Sequence, residues 1–249
     1  MRVLGVIPAR YASTRFPAKP LAKLGGLTVI ERVYRQVSKA LCDVVVATDD
    51  ERIFAEVERF GGRAVMTSVD HRSGTDRCFE AYRKVGEQFD IVVNVQGDEP
   101  FIQPEQIEAL VGCFKRDNID IATLVKPFEI EDGVEALFNA NSPKVVVSSD
   151  MRALYFSRSV IPYLRGCDRE EWLSRHTYYK HIGMYGFRAE VLGEITAIAP
   201  TPLEIAESLE QLRWLESGYN IGVGLTDLQT IGIDTPEDLA AAEEFLTVK

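Results

Sequence analysis

The sequence predicts an α/β fold: a mostly parallel sheet flanked by helices, with a second, smaller α+β lobe. Three observations carry that expectation. Over roughly residues 1–130, short apolar β-branched runs alternate with amphipathic segments, the pattern of parallel strands buried between crossover helices. After residue 130 that rhythm is lost and β-rich runs follow one another closely. The third is size: 249 residues, 46% of them hydrophobic and 27% charged, are ordinary globular composition and long enough for a core without staples.

The elements follow in order. VLGVIPA (3–9) is the first strand and runs into a loop rich in Ser, Thr, Pro and Lys. Val29, Ile30, Val33 and Val37 recur at helical spacing, which predicts a helix over 27–40. VVVAT (44–48) is a second strand, and Asp49 or Asp50 is placed to cap the helix through Phe60. AVMTS (64–68) is a third strand, followed by a helix over 75–87. IVVNVQGD (91–98) is a fourth, Pro104 suits the first turn of a helix over 104–115, and IATLVKP (121–127) is a fifth strand. KVVVSSD (144–150) and ALYFSRS (153–159) predict a hairpin, and KHIGMYGFR (180–188) another strand. Helices are expected over 190–196 and 203–217, the second stopped by Gly218. As one helix, 203–217 places Ile205, Leu209 and Leu212 on one face and Glu207, Glu210 and Gln211 on another. IGVGL (221–225) and TIGI (230–233) are short strands, and Thr235-Pro236-Glu237 opens a last helix through Leu246. No internal repeat or linker interrupts the chain.

Charge excludes whole classes of partner. With 28 Lys and Arg against 38 Asp and Glu, the net charge is −10. Such a field repels phosphates, so neither nucleic acid nor an anionic membrane is an expected partner. The charge is uneven, however: residues 1–40 carry eight basic residues and one acid. The four cysteines have neither metal-ligand nor redox spacing, as expected for free thiols in a reducing compartment. No stretch approaches the roughly 18 apolar residues of a membrane helix, and the run after Arg2 is too short for a signal-peptide core. A cytoplasmic protein is expected.

Five places can carry chemistry. The loop after the first strand, Pro8 to Pro20, holds Arg10, Arg15 and Lys19 within ten residues. It sits where open α/β sheets bind ligands, and its guanidiniums can grip phosphate oxygens in bidentate fashion. It has neither the P-loop nor the dinucleotide glycine pattern, which disfavours a dehydrogenase. Gln96-Gly97-Asp98-Glu99-Pro100 ends the fourth strand; Asp98 suits either Mg²⁺ held through carboxylates and phosphates or a turn. Asp234 precedes the last helix, as a helix cap or as a partner of Asp98. Arg72, Ser73 and Thr75 lie before the helix over 75–87, as readers of a base edge or as a helix start. In the second lobe Arg158, Arg165, His176, Lys180, His181 and Tyr185 gather cations and aromatics, while Glu207, Glu210 and Gln211 read equally as a solvated face.

ARYASTRFPAKPL (9–21), SGTDR, QGDEPF, ALYFSR, KHIGMYGFR, ESLEQLRWLE and GIDTPEDL occur in order. Together they resemble the 3-deoxy-manno-octulosonate cytidylyltransferase, or CMP-Kdo synthetase, family over essentially the whole chain. The resemblance implies a Rossmann-like nucleotide-diphospho-sugar transferase fold, with a CTP-binding part over 1–130 and 226–249 and a sugar-binding and dimerisation lobe over 131–225, within a single nucleotidyltransferase domain. It implies the reaction CTP + Kdo → CMP-Kdo + diphosphate for lipopolysaccharide synthesis, with Mg²⁺, in a homodimer. Amino-Kdo or sialic acid is the alternative substrate, and a nucleotide-sensing protein with a degenerate site the alternative class. By the same resemblance Pro8, Ala9, Arg10, Ser13, Arg15 and Lys19 surround the nucleotide. Arg10, Arg15, Lys19 and Asp98 carry catalysis, and Arg72, Ser73 and Thr75 contact cytosine. Gln96 sits where base and sugar meet, and Asp98 and Asp234 bind Mg²⁺. Arg165, His181, Tyr185, Glu210 and Gln211 contact the sugar, Arg165 and His181 offsetting the charge of its carboxylate.

Overall fold

The computed structural model describes residues 1–12, 15–71, 73–228 and 232–247. In chain order its elements are β1 (Val3–Ala9), β2 (Lys23–Leu24), β3 (Leu27–Thr28), α1 (Val29–Ala40), β4 (Asp43–Thr48), α2 (Glu51–Arg59), β5 (Ala64–Met66), α3 (Gly74–Val85), β6 (Ile91–Asn94), α4 (Pro104–Gly112) and β7 (Ile121–Pro127). Then come α5 (Gly133–Phe138), β8 (Lys144–Val147), β9 (Ala153–Ser157), α6 (Trp172–Arg175), β10 (Tyr179–Arg188), α7 (Ala189–Thr196), α8 (Pro202–Glu207), α9 (Gln211–Glu216), β11 (Ile221–Leu225) and α10 (Pro236–Thr247). They form two compact units, one of Met1–Glu108, Gly186–Thr196 and Thr230–Lys249, the other of Ala109–Tyr185 and Ala197–Gln229. The second unit therefore starts earlier than the lobe read from the sequence, because β7 pairs with β11, and it lacks 186–196.

In the first unit β6, β1, β4 and β5 lie side by side, all parallel. β1 is central here: Gly5 is in register with Val44 on one side and Val93 on the other. Leu4, Val6, Ile7, Val45, Val46, Ile91 and Val92 are fully buried. That is why these strands read as unbroken apolar runs rather than alternating ones. The helices start on side-chain caps: Thr28 accepts from Glu31 N–H, and Asp50 from Arg52 N–H. Asp50 thus caps α2, leaving Asp49 to pair with Arg77. Because the four strands are parallel, their carboxyl ends open on one edge, and the loops that follow β1, β5 and β6 gather there.

In the second unit β7 and β11 are parallel, while β8 pairs antiparallel with β9 and with β10. The hairpin expected between 144 and 159 is β8–β9. One of its cores joins Phe128, Leu137, Trp172 and Tyr178. Lys144 is fully buried and donates to the carbonyls of Asn139, Ser142 and Arg158. This satisfies all three ammonium protons.

Several boundaries differ from the sequence reading. The segment 203–217 is two helices, broken at Ser208, whose φ of 51° is left-handed. The Arg158 guanidinium donates to the carbonyls of Glu207 and Ser208 and holds the break. Beyond it the helical phase resets, so Ile205 is exposed while Leu209 and Leu212 are buried. Gly218, with φ of 88°, ends α9 as expected, and Tyr219 N–H reaches back to the Trp214 carbonyl. The described residues of 230–233, Gly232 and Ile233, form no strand; Ile233 N–H donates to the Asp98 carbonyl instead. Among the described residues no helix is long and apolar enough to cross a membrane.

The break at Ser208 is testable. A left-handed non-glycine residue costs about 1–2 kcal/mol, more for a β-branched one. Ser208 already carries that cost, so Ser208→Gly is expected to raise stability in urea unfolding by up to that amount, and Ser208→Val to lower it below wild type by the extra β-branched strain.

Candidate functional site

An open cavity of about 390 Å³ lies at the carboxyl edge of the first unit's strands. β1 gives it Pro8 and Ala9, and the loop that follows gives Arg10, Arg15 and Lys19. The start of α3 adds Ser73, Gly74 and Arg77, the loop after β6 adds Gln96, Gly97 and Asp98, and the segment before α10 adds Asp234. Gly97 is there for a steric reason. A Cβ on it would stand 2.5 Å from the Pro8 carbonyl oxygen, so only glycine lets the two loops approach this closely.

At its centre is an ion cluster. Lys19 Nζ donates to Asp98 Oδ2 at 2.6 Å and to Asp234 Oδ1 at 3.2 Å, and Arg15 Nη2 reaches the same Asp234 oxygen at 3.2 Å. Lys19 is the most enclosed of the four, its side chain 12% exposed against 67% for Arg15. Local backbone sets this up. Ala18, in the left-handed region, turns the chain into a short 3₁₀ turn at Lys19–Leu21, and its N–H closes the loop onto the Tyr11 carbonyl. On the other side, Ile233 N–H to Asp98 O at 2.9 Å ties the two acidic segments together. Capping of α10 does not consume Asp234: Thr235 and Asp238 cap each other, and Asp238 also accepts the Asp234 N–H. Asp98 and Asp234 are left as two hard oxygen donors converging on one cation. Beside them, burial and the charge of Asp98 push the Glu99 carboxyl up to about 7.

The α3 end of the cavity is built differently. Ser73 caps α3 through a reciprocal pair with Asp76. Its oxygen accepts the Asp76 N–H, and its own hydroxyl proton can still be donated. Arg77 is 1% exposed yet lines the cavity, held by Asp49 at 2.7 Å and Thr67 at 2.5 Å. Sequence reasoning missed it: it stands inside SGTDR, but a helical Arg gives no signal that its guanidinium turns inward. Thr75 is buried and does not line the cavity. Ser13 and Arg72 lie outside the described residues.

Of the sugar candidates, Gln96 lines the cavity of the first unit, and the others lie in the second unit. Burial lowers the His181 pKa to about 4, so the ring is neutral at pH 7. Thr123 Oγ1 lies 2.9 Å from both His181 Nε2 and the Met184 carbonyl. The single hydroxyl proton goes to the carbonyl, so His181 Nε2–H donates and Nδ1 is the acceptor. In this state His181 offers a hydrogen bond rather than a positive charge. Phe156 and Tyr185 pack on its ring, with centroids 5.3 Å away. Burial, then the charge of Glu210, push the Tyr185 phenol well above its usual range, so it stays protonated. Glu210 pairs with Arg213. Gln211 is 3% exposed, and its amide nitrogen has no hydrogen-bond partner among the described residues. Such a buried donor is costly until something accepts from it. Glu207 instead accepts from Ser157 and Arg158 and is structural. Arg165 is exposed on the loop before α6.

Comparison with known proteins identifies the family. A family model described as cytidylyltransferase matches residues 4–221. The 3-deoxy-manno-octulosonate cytidylyltransferase of Bacteroides thetaiotaomicron is 65% identical over 99% of this chain and 98% of its own. That of Thermodesulfovibrio yellowstonii is 48% identical over 99% and 98%. A solved CMP:2-keto-3-deoxy-manno-octonic acid synthetase complexed with CTP superposes with a TM-score of 0.90 at 38% identity, covering 100% of this chain and 99% of that one. At this identity over the full length, the chain belongs to the 3-deoxy-manno-octulosonate cytidylyltransferase family.

Proposed function

We propose that the protein activates Kdo: CTP + 3-deoxy-D-manno-octulosonate → CMP-Kdo + diphosphate. The observation that carries this reading is Lys19 between Asp98 and Asp234, in a cavity also lined by Arg10 and Arg15. Cytidylyl transfer needs a cationic grip on a triphosphate and paired carboxylates for a divalent ion, and little covalent chemistry from the protein. The anomeric hydroxyl of Kdo attacks the α-phosphorus; the new P–O bond forms as the α–β bond breaks and diphosphate leaves. Arg10, Arg15 and Lys19 donate to the phosphate oxygens and hold the chain in line for attack. The fit of Mg²⁺ rests on Asp98 and Asp234 already presenting oxygens to one cation, the donor set that ion takes together with phosphates. When bound it supplies charge neutralisation on those oxygens.

On the sugar side, buried hydrogen-bonding groups supply the discrimination. A site built to pair hydroxyls rejects analogues that leave its groups unpaired. Gln211 offers an amide donor, Glu210 an acceptor, Tyr185 a phenol and His181 an acceptor at Nδ1. The sugar carboxylate is left to Arg165, whose exposed guanidinium is the remaining cation of the set. The reading includes a cytoplasmic homodimer serving lipopolysaccharide synthesis. Exposed Leu154, Tyr163 and Ile205 in the second unit support self-association there.

Diphosphate release is expected only when CTP, Kdo and Mg²⁺ are all present. Asp98→Asn is expected to slow it about 100-fold or more, because the ion loses a charged ligand at the reacting phosphate. No release under those conditions would sink the assignment, and a near-normal rate in the variant would remove Asp98 from the site. His181 gives a second test. A histidine in the unfolded chain titrates near 6.5, against about 4 in the fold. Between those values only the unfolded chain takes up the proton, so stability present above pH 6.5 is lost on acidification toward 4. His181→Gln is expected to flatten that part of the pH dependence of urea unfolding. An equal slope in both proteins contradicts the neutral buried ring.

A further inference from the structure

The segment Thr67–Ser73 joins β5 to α3, and its far end delivers Ser73 to the nucleotide cavity. Val69 is 72% exposed, and among the described residues the internal tie of the segment is a local turn between Ser68 and Asp70. Its first residue, Thr67, donates to the Thr48 carbonyl of β4; the other ties come from α3, the helix it leads into. Arg77 holds Thr67, Asp76 holds Ser73, and the span between them is held by Glu80. The Glu80 carboxylate accepts the Ser68 N–H at 2.9 Å and pairs with His71 Nε2 through one oxygen, and with Lys84 Nζ at 2.7 Å through the other. Lys84 in turn donates to the Met66 carbonyl at 2.8 Å, closing the end of β5 onto the same group. Burial pushes the Glu80 pKa up; Lys84, the Ser68 N–H and His71 outweigh it and bring it down to about 2. The carboxylate is therefore charged throughout the working pH range.

Glu80 does not line the nucleotide cavity; it faces a separate hollow shared with His71 and Lys84 on the outer side of α3. A half-buried carboxylate that ties two points of one short segment, Ser68 and His71, and is itself held by Lys84 from its own helix is more than solubility requires. We propose that Glu80 is a positioning residue for nucleotide recognition, fixing the Thr67–Ser73 segment so that Ser73 meets the nucleotide in a preset geometry. The inference rests on the cavity being the CTP site. Binding groups must be held to a fraction of an ångström to keep their affinity, and the holding falls to residues that never touch the ligand.

The test is CTP affinity by calorimetry, with steady-state kinetics for both substrates, in wild type, Glu80→Ala, Glu80→Gln and His71→Phe. Misplacement of a positioned group by about an ångström costs up to 100-fold. Glu80→Ala is therefore expected to weaken CTP binding and raise its KM by about 10-fold, with kcat and the KM for Kdo within about twofold. Glu80→Gln, which keeps an acceptor for the Ser68 N–H, is expected to recover most of the loss, and His71→Phe to show a smaller loss of the same kind. An unchanged CTP affinity in folded Glu80→Ala overturns the proposal. So does a parallel loss of kcat and of both KM values that tracks a fall in Tm, which marks a purely structural role. If wild type binds CTP but does not turn over Kdo, the functional assignment fails, and the CTP titrations still decide the role of Glu80. If wild type does not bind CTP, both fail.

Discussion

The site turns on a single ammonium group. Lys19 Nζ stands between Asp98 and Asp234, two carboxylates from parts of the chain far apart in sequence, within hydrogen-bonding distance of both. Two like charges converging without a cation repel, and partial burial strengthens that repulsion. Lys19 removes it in the protein alone. In the proposed reaction the same carboxylates would hold the metal and the ammonium would meet a phosphate. The loop after β1, the tie between Ile233 and Asp98, and the close approach at Gly97 all serve to bring these three side chains together.

That arrangement also explains how an acidic protein handles a triphosphate. The net charge of −10 describes the average surface. Within the cavity, the cations of one short loop face a carboxylate pair, over distances shorter than the roughly 8–10 Å at which physiological salt screens charges. The second unit uses different physics. His181 is kept neutral by burial, Tyr185 is kept protonated, and Gln211 has a buried amide awaiting an acceptor. One group of residues is organised by charge, the other by buried hydrogen-bonding groups whose lack of a partner is costly.

Much of this was legible in the sequence. Parallel strands buried on both faces leave an unmistakable apolar rhythm, and the basic loop after β1 stood where such sheets bind ligands. Motif resemblance supplied Asp98 and Asp234, which spacing alone could not separate from turn and cap residues. In the structure the Asp234 side chain is not the cap, because Thr235 and Asp238 do the capping, and it meets Lys19 and Arg15 instead. What the sequence hid were effects of enclosure. Helical periodicity runs straight through Ser208, since the break depends on carbonyls held by Arg158. The neutrality of His181 depends on its packing partners, and the inward turn of Arg77 on Asp49 and Thr67. Glu80 carries no mark in the sequence that separates it from the other charges of α3; its partners Ser68 and His71 are met only in the fold.

The most direct test of the central claim is Mn²⁺ binding, read by electron paramagnetic resonance without nucleotide, in wild type and Lys19→Met. If the ammonium occupies the position that the carboxylates offer to a cation, its removal leaves Asp98 and Asp234 repelling each other and open. The variant then binds Mn²⁺ more tightly than wild type even though cytidylyl transfer is lost. Equal or weaker Mn²⁺ binding in Lys19→Met would contradict the account, because the two carboxylates would then not form one cation site held by Lys19.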